Sequence, residues 1–215
     1  MIIHLIAPKN KESWPEIWHI CFNSFVKTKH DIWIWDDKGI ENLLREDDEE
    51  FYENYLSKLH IIYQIDYVRY IILEKYGGAY FDMDVELIID FLPLLNKETI
   101  YILEGSVGEL VSNAIMISYK GSTLWQRIRT KSKFNIIKNF KYAQENPHNT
   151  VDLIGPIFLS KWISHFWNLQ RNQRSQIPNI ELLGYHQFND TYSTLSFTKH
   201  YSTHVWGGTE ENIAK

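Results

Sequence analysis

The chain has 215 residues and a formal net charge of -5, so it lacks the concentrated basic footprint with which proteins wrap nucleic acid. Apolar residues make up 44% and aromatic residues 15%, enough to bury a sizeable interior, which excludes a disordered chain. A single cysteine, Cys21, excludes an intramolecular disulfide; it reads as a small buried side chain in a protein of a reducing, cytoplasmic compartment.

The length suits one domain over residues 1–215. The start, MIIHLIAPKNKESW, has only a short apolar run with no basic region before it, and is not expected to be a signal peptide. Nowhere does a long uncharged apolar stretch predict a transmembrane helix. Residues 2–6 predict a short buried strand. Ser13, followed by Trp14 and Pro15, predicts the N-cap of a helix reaching about residue 25. Residues 31–35 are strand-like, and Asp36, Asp37 and Gly39 supply turn chemistry after them. Strand, helix, strand predicts a parallel pair in an α/β sheet. The acidic segment 41–53, with LREDDEEFYE, reads as the solvated face of short helices and is assigned no chemistry.

In LHIIYQIDYVRYIILEKYGG, Ile61, Ile65, Val68 and Ile72 follow helical spacing, and Gly77 or Gly78 should end that helix. Asp66 and Arg69 lie three apart, on one face of an otherwise apolar helix. Either they form an internal ion pair or they face a ligand, and the helix alone leaves both readings open. Next comes YGGAYFDMDVE. Strand alternation predicts Tyr80, Asp82 and Asp84 on one side and Met83 turned into the core. Two carboxylates on one side repel unless a cation or proton intervenes, and a hard divalent ion such as Mg²⁺ or Mn²⁺ suits oxygen ligands. Ligands of α/β sheets gather beyond the carboxyl ends of strands, where these aspartates fall.

Farther on, residues 120–141 are basic, with Lys131, Lys133, Lys138 and Lys141 among Phe134, Ile136, Ile137 and Phe140. An outer helix with its apolar stripe on the core is expected, with peripheral contact to a membrane surface or an acidic acceptor as the other use of such a pattern. The aromatic run FLSKWISHFW, residues 158–167, has the spacing of core packing.

A bare Asp-x-Asp says little. The longer string Asp66-x-x-Arg69-Tyr70, then Leu73-x-x-Tyr76-Gly77-Gly78-x-Tyr80-x-Asp82-x-Asp84, resembles the sugar-nucleotide-binding segment of glycosyltransferase family 32. That group includes yeast-type initiating mannosyltransferases and bacterial capsular polysaccharide enzymes, with the large clostridial glucosylating toxins as distant relatives. IIHLI, WIWDD, SNAIMIS, LIGP and THVWGG resemble further family segments in the right order.

The resemblance implies a GT-A fold, a Rossmann-like α/β domain with a central mixed sheet flanked by helices. It also implies a retaining, metal-dependent transfer from a nucleoside-diphosphate sugar to a glycan or glycoconjugate acceptor. A UDP-sugar is the favoured donor and a GDP-sugar the alternative. By position, Asp66 and Arg69 would hold donor hydroxyls, with Arg69 also near the diphosphate and Tyr80 lining the pocket. Asp82 would contact ribose or sugar and reach a Mn²⁺ or Mg²⁺ ion directly or through water. Asp84 would be its principal protein ligand, and Asn113 would sit beside the reacting carbon. His204 is the candidate second clamp, as metal ligand or as donor to the diphosphate, and Trp206 would pack over the site.

Three departures stand out. Ala7 occupies the place of a base-stacking Trp, which leaves Tyr63 or Trp35 as substitutes; Ile154 replaces the Thr of a Thr-Gly-Pro turn; and the closing motif has one His. A double displacement would need a carboxylate nucleophile, for which Glu104 and Asp152 are the mid-chain candidates. Both are expected to be structural, so front-face attack is preferred and no catalytic base is named. Two other functions fit an Asp-x-Asp: a haloacid-dehalogenase-type phosphatase, which would carry it near the amino terminus with Thr or Val in the place of Glu86, and a non-catalytic sugar-nucleotide-binding module, which would be expected to have lost the acids.

Overall fold

The computed structural model describes residues 1–106, 109–172, 178–188 and 196–202. Strands and helices alternate: β1 (Ile2–Ile6), α1 (Glu16–Val26), β2 (Asp31–Trp35), α2 (Asp37–Asn54), α3 (Ile61–Tyr76), β3 (Gly78–Phe81), β4 (Val85–Leu87), β5 (Thr99–Glu104), β6 (Val111–Ser118), α4 (Thr123–Lys138), α5 (Phe140–Glu145), α6 (Pro156–Asn172), β7 (Asn179–Leu183), α7 (Tyr185–Phe188) and β8 (Thr198–His200). Six strands form a mixed sheet in the order β2-β1-β3-β6-β5-β7, and β4 pairs with β8 in a separate two-stranded sheet. The pairs β1/β2, β1/β3 and β5/β7 are parallel, whereas β6 runs antiparallel to both β3 and β5. This is the expected α/β architecture, with the first strand, helix and strand forming the expected parallel unit.

Alternation along the strands divides the interior into two layers. Ile3, Leu5, Ala79 and Phe81 pack against Trp18 and Phe25 of α1. From the opposite face, Ile6, Tyr80 and Met116 meet the apolar sides of α2, α3, α4 and α6. Helix α3, with ten buried residues, is enclosed nearly all round. It can therefore hold a buried charge pair against the end of the sheet. Phe158, Leu159, Ile163 and Phe166 are core residues of α6, as their spacing predicts, whereas the core face of α4 is Leu124, Trp125, Ile128 and Ile136; of the apolar residues expected to face the core from this basic segment, Phe134 and Ile137 are instead exposed, because they lie off that face.

The glycine pair has a steric reason. Gly77 caps α3 at φ +66°, and a Cβ there would lie 2.5 Å from the Lys120 backbone nitrogen; Gly78 has φ +89°, and its Cβ would lie 2.5 Å from the Ile2 carbonyl oxygen. A side chain at Gly77 would push the end of α3 off the Tyr119–Lys120 backbone that follows β6, and one at Gly78 would push β3 off β1. The close approach lets buried His4 Nε2 donate to the Gly77 carbonyl at 2.8 Å, while His4 Nδ1 accepts from Trp35 Nε1 at 3.2 Å. Burial lowers the His4 pKa to about 4, against the partial support of the Gly77 bond, so the imidazole is neutral.

Two local expectations need correction. Ser13 does not cap α1: it ends a short 3-10 turn, Pro15 occupies the N-cap position, and the helix starts at Glu16. A proline's fixed φ suits that entry, and the Ser13 hydroxyl is engaged instead with the Asn10 carbonyl. The acidic segment is one helix kinked at Asp48, not a set of wholly solvated faces. Arg129 from α4 pairs with Asp47 at 2.8 Å and with Glu74 at 2.7 Å, and Lys133 pairs with Asp48. Only the fold supplies these partners, because they lie 55 to 85 positions apart in the chain.

Candidate active site

Strand β3 stops at Phe81, one residue before the first aspartate of the Asp-x-Asp pair. The aspartates are therefore not alternate residues of one strand, as alternation predicted. Asp82 extends the ladder with one more bond, from its N–H to the Ala114 carbonyl at 2.9 Å, and the chain then turns, with Val85 N–H donating to the Asp82 carbonyl at 3.1 Å. The turn achieves by bending what an extended strand would have achieved by alternation. Asp82 and Asp84 both line a cleft of about 340 Å³ beyond the end of β3. Met83 belongs to the α1-side core as expected, and its buried side chain also reaches the cleft wall.

Asp66 and Arg69 of α3 reach the same cleft and are each only 4% exposed. Arg69 Nη2 meets Asp66 Oδ1 at 3.0 Å, and Arg69 Nη1 lies 3.4 Å from Asp82 Oδ1. The helix pair is thus an internal ion pair that also borders a cavity. Asn113 of β6 closes the network by donating from Nδ2 to Asp66 Oδ1 at 3.0 Å, while its carbonyl accepts from Arg69 Nη1 at 2.9 Å. Tyr80 donates to Asp82 Oδ1 at 2.7 Å and lies beneath the guanidinium, with Arg69 Cζ 4.8 Å from its ring centroid. Burial works against the Arg69 charge, but Tyr80, Asp82 and Asp66 more than offset it and hold the side chain cationic. Burial, with the neighbouring Asp84 charge, pushes the Asp82 carboxyl up despite Arg69 and the Tyr80 bond.

One functional side chain escaped sequence reasoning. His200 of β8 lies with Nε2 3.3 Å from Asp84 Oδ1, and Asp82, Asp84 and His200 each offer a ligand atom within 4.8 Å of one another. Antiparallel pairing of β4 with β8 sets Val85 opposite His200, and Tyr201 N–H donates to the Asp84 carbonyl at 3.0 Å. Burial opposes protonation of His200, yet the bond and charge of Asp84, with Asp82 behind it, raise its pKa above the ordinary 6.5. A proton on the imidazole and a bound cation are alternative ways of neutralising the two carboxylates. Two carboxylates and an imidazole suit a divalent ion with open positions for other oxygens, so the donor set fits Mn²⁺ or Mg²⁺. No short sequence pattern marks His200; its signal is the strand pairing. His204 and Trp206 lie outside the described residues.

The remaining cleft wall comes from several elements, including Trp18 of α1, Ser112 of β6, and His148 and Thr150 in the segment before α6. Ser202, the only non-glycine with positive φ among the described residues, also borders it. Neither substitute for the missing Trp lines the cleft. Tyr63 is fully buried, with its hydroxyl donating to the Asn149 carbonyl at 3.0 Å, and Trp35 packs with Trp33, Tyr76 and His4. Trp18, on α1, is the indole ring that the fold brings to the wall. Ile154 is buried and its carbonyl accepts from the Tyr70 hydroxyl at 2.7 Å, so the LIGP turn is anchored through its backbone without a threonine. Glu104 accepts from Tyr185 N–H and Asp152 lies 3.7 Å from Lys161, and neither lines the cleft.

A mixed sheet with helices on both faces, and an Asp-x-Asp turn at the carboxyl end of an inner strand, define a GT-A fold. The solved structure titled "PaToxG Glycosyltransferase" has the same fold, with a TM-score of 0.50 and 16% identity over 80% of this chain and 73% of that one. Residues 15–101 match the family described as "Glycosyltransferase sugar-binding region containing DXD motif". Two curated Schizosaccharomyces pombe proteins are similar to this chain. Inositol phosphoceramide mannosyltransferase 1 is 34% identical over 156 residues, 69% of this chain and 47% of the relative. Inositol phosphoceramide mannosyltransferase 3 is 30% identical over 162 residues, 74% of this chain and 43% of the relative. The chain thus spans about half the length of the curated relatives it matches.

Proposed function

We propose that this protein is a metal-dependent, retaining glycosyltransferase, with residues 1–215 as one GT-A domain, that moves a hexose from a nucleoside-diphosphate donor to a glycan or glycoconjugate acceptor. The observation that carries the proposal is the convergence of Asp82, Asp84 and His200 beside the buried Asp66–Arg69–Asn113 network in one cleft. The names of the two curated relatives favour mannose as the sugar. The base is left to a donor panel that includes both UDP- and GDP-sugars.

Asp84 and His200 would hold a Mn²⁺ or Mg²⁺ ion, with Asp82 bound directly or through water. When bound, the ion supplies Lewis-acid stabilisation of the charge that builds on a departing diphosphate. Asp66 is oriented by Arg69 and Asn113 to accept from donor hydroxyls, so the sugar is positioned by groups that do not have to reorganise. Arg69 keeps positive charge at the cleft floor, and Asn113 places its side chain beside that network. The three aspartates at the cleft are all committed: Asp66 to Arg69 and Asn113, Asp82 to Tyr80 and Arg69, Asp84 to His200. This supports front-face attack, with the departing phosphate taking the acceptor's proton, over a double displacement.

A haloacid-dehalogenase-type phosphatase needs its first aspartate free for attack, and Asp82 accepts from Tyr80 and faces Arg69. A non-catalytic module would be expected to have lost the acids, and both Asp82 and Asp84 are present. Slow hydrolysis of a panel of sugar nucleotides, assayed with Mn²⁺ or Mg²⁺ and with chelator, tests the proposal. Turnover of one donor, abolished by chelator, is expected; turnover of none, or turnover indifferent to chelator, overturns it.

A further inference from the structure

Helix α4 separates its cations into two groups. Residues 110–144 contain no Asp or Glu but seven basic residues, in a chain of net charge -5. On one flank of α4, Arg129 and Lys133 are neutralised by Asp47, Glu74 and Asp48. On the other, Arg127, Lys131, Phe134 and Lys138 fall at intervals of four, three and four, which places them in one stripe. All four are exposed, and among the described residues the three cations have no carboxylate partner. Phe134 is 62% exposed, and Ile137 beside the stripe is 39% exposed.

The stripe borders a groove of about 500 Å³ between α4 and α6, lined by Arg127, Lys131, Trp162, His165 and Phe166. Lys131 Nζ stands 5.3 Å from the Trp162 ring centroid and Arg127 Cζ 5.8 Å from that of Phe166. Rings beneath the cationic groups hold them in place without neutralising them. None of these side chains lines the aspartate cleft.

We propose that this α4/α6 face docks on an anionic lipid surface, with Arg127, Lys131 and Lys138 against phosphate headgroups and Phe134 and Ile137 in the interfacial layer. Charge complementarity argues for an anionic partner, because a locally unopposed cationic stripe persists on an acidic protein. The exposed phenyl ring between Lys131 and Lys138 argues for lipid over a soluble polyanion, which would match the charges and leave the ring in water. Together the cations and the ring give the two-part attachment that reversible membrane binding requires. The proposal concerns a surface apart from the cleft and does not depend on the reaction assigned there.

Sedimentation of the full chain with phosphatidylcholine vesicles, with and without about 30% phosphatidylserine, tests the proposal through their surface charge. Binding only to the anionic vesicles, weakened by salt, is expected. Replacing Arg127, Lys131 and Lys138 together by Gln should weaken it about a hundredfold, at about fivefold for each cation. Phe134→Ser should weaken it several-fold on its own, with circular dichroism and thermal midpoint preserved in both variants because the side chains are exposed. Absence of vesicle binding, equal binding to neutral vesicles, or indifference to the triple substitution would overturn the proposal. So would binding to heparin as tight as that to vesicles and indifferent to Phe134→Ser, which would make the face a polyanion site.

Discussion

Arg69 Nη1 donates to the main-chain carbonyl of Asn113 at 2.9 Å, joining the middle of α3 to the start of β6 across 44 positions of sequence. The same asparagine returns a bond to Asp66, so one buried charge pair is tied to the sheet at both ends. Removing the cation leaves Asp66 buried and uncompensated. Arg69→Ala should therefore destabilise the fold by about 3–5 kcal/mol, and Asn113→Ala by about 1–3 kcal/mol. Urea denaturation measures both; an Arg69→Ala variant as stable as the wild type would show that the pair is not structurally coupled.

Metal dependence should reside in Asp84 and His200. Asp84→Ala should weaken Mn²⁺ binding by about a hundredfold or more, since even the loss of an outer partner commonly costs tenfold to a hundredfold. His200→Ala should weaken it less, because one charge-bearing ligand outweighs a neutral one. Calorimetry with Mn²⁺ alone reads both, and UDP or GDP titrated afterwards shows whether the nucleotide follows the metal. Unchanged Mn²⁺ binding in Asp84→Ala would place any ion elsewhere.

Neither glycine of the pair should tolerate a side chain. With Cβ contacts of 2.5 Å to backbone atoms and positive φ at both positions, Gly77→Ala and Gly78→Ala should each cost about 2 kcal/mol or more. Gly121→Ala makes a useful comparison: it also has positive φ, at +77°, but no atom lies within 4 Å of its Cβ position. Its thermal midpoint should fall by less than those of the other two.

His4 predicts a loss of stability in acid. Its folded pKa of about 4 lies below the unfolded value of 6.5, so between these values the unfolded chain binds the extra proton. Stability should fall as pH drops from 6.5 towards 4, by on the order of 3 kcal/mol from this group alone. His4→Gln cannot gain that charge and should lose less stability over the same window in a series of denaturation curves. Parallel curves for the two proteins would show that His4 does not contribute.

Local pattern made much of this protein legible. The strand, helix and strand at the start, the length of α3 and its stop at the glycine pair all follow from periodicity and backbone preference, which act over a few residues. Asp66 and Arg69 share a face for the same reason, and the Asp-x-Asp turn lies where a strand must end near a cleft. Local pattern misled where neighbouring groups competed, as when Pro15 took the cap position from Ser13, and where the chain turned after Phe81 instead of continuing as strand.

What the sequence by itself determined was therefore the elements of the first eighty or so residues and the acids concentrated in one short segment. Only the tertiary structure decided which distant groups complete that segment. Asn113 reaches Asp66 because β6 lies antiparallel beside β3, and Asp47 leaves solvent because α4 brings Arg129 to it. Among nine histidines, His200 meets Asp84 because β8 pairs with β4 in a register that sets it opposite Val85. Such contacts depend on strand pairing and packing between segments far apart in the chain, and no short window of sequence carries that information.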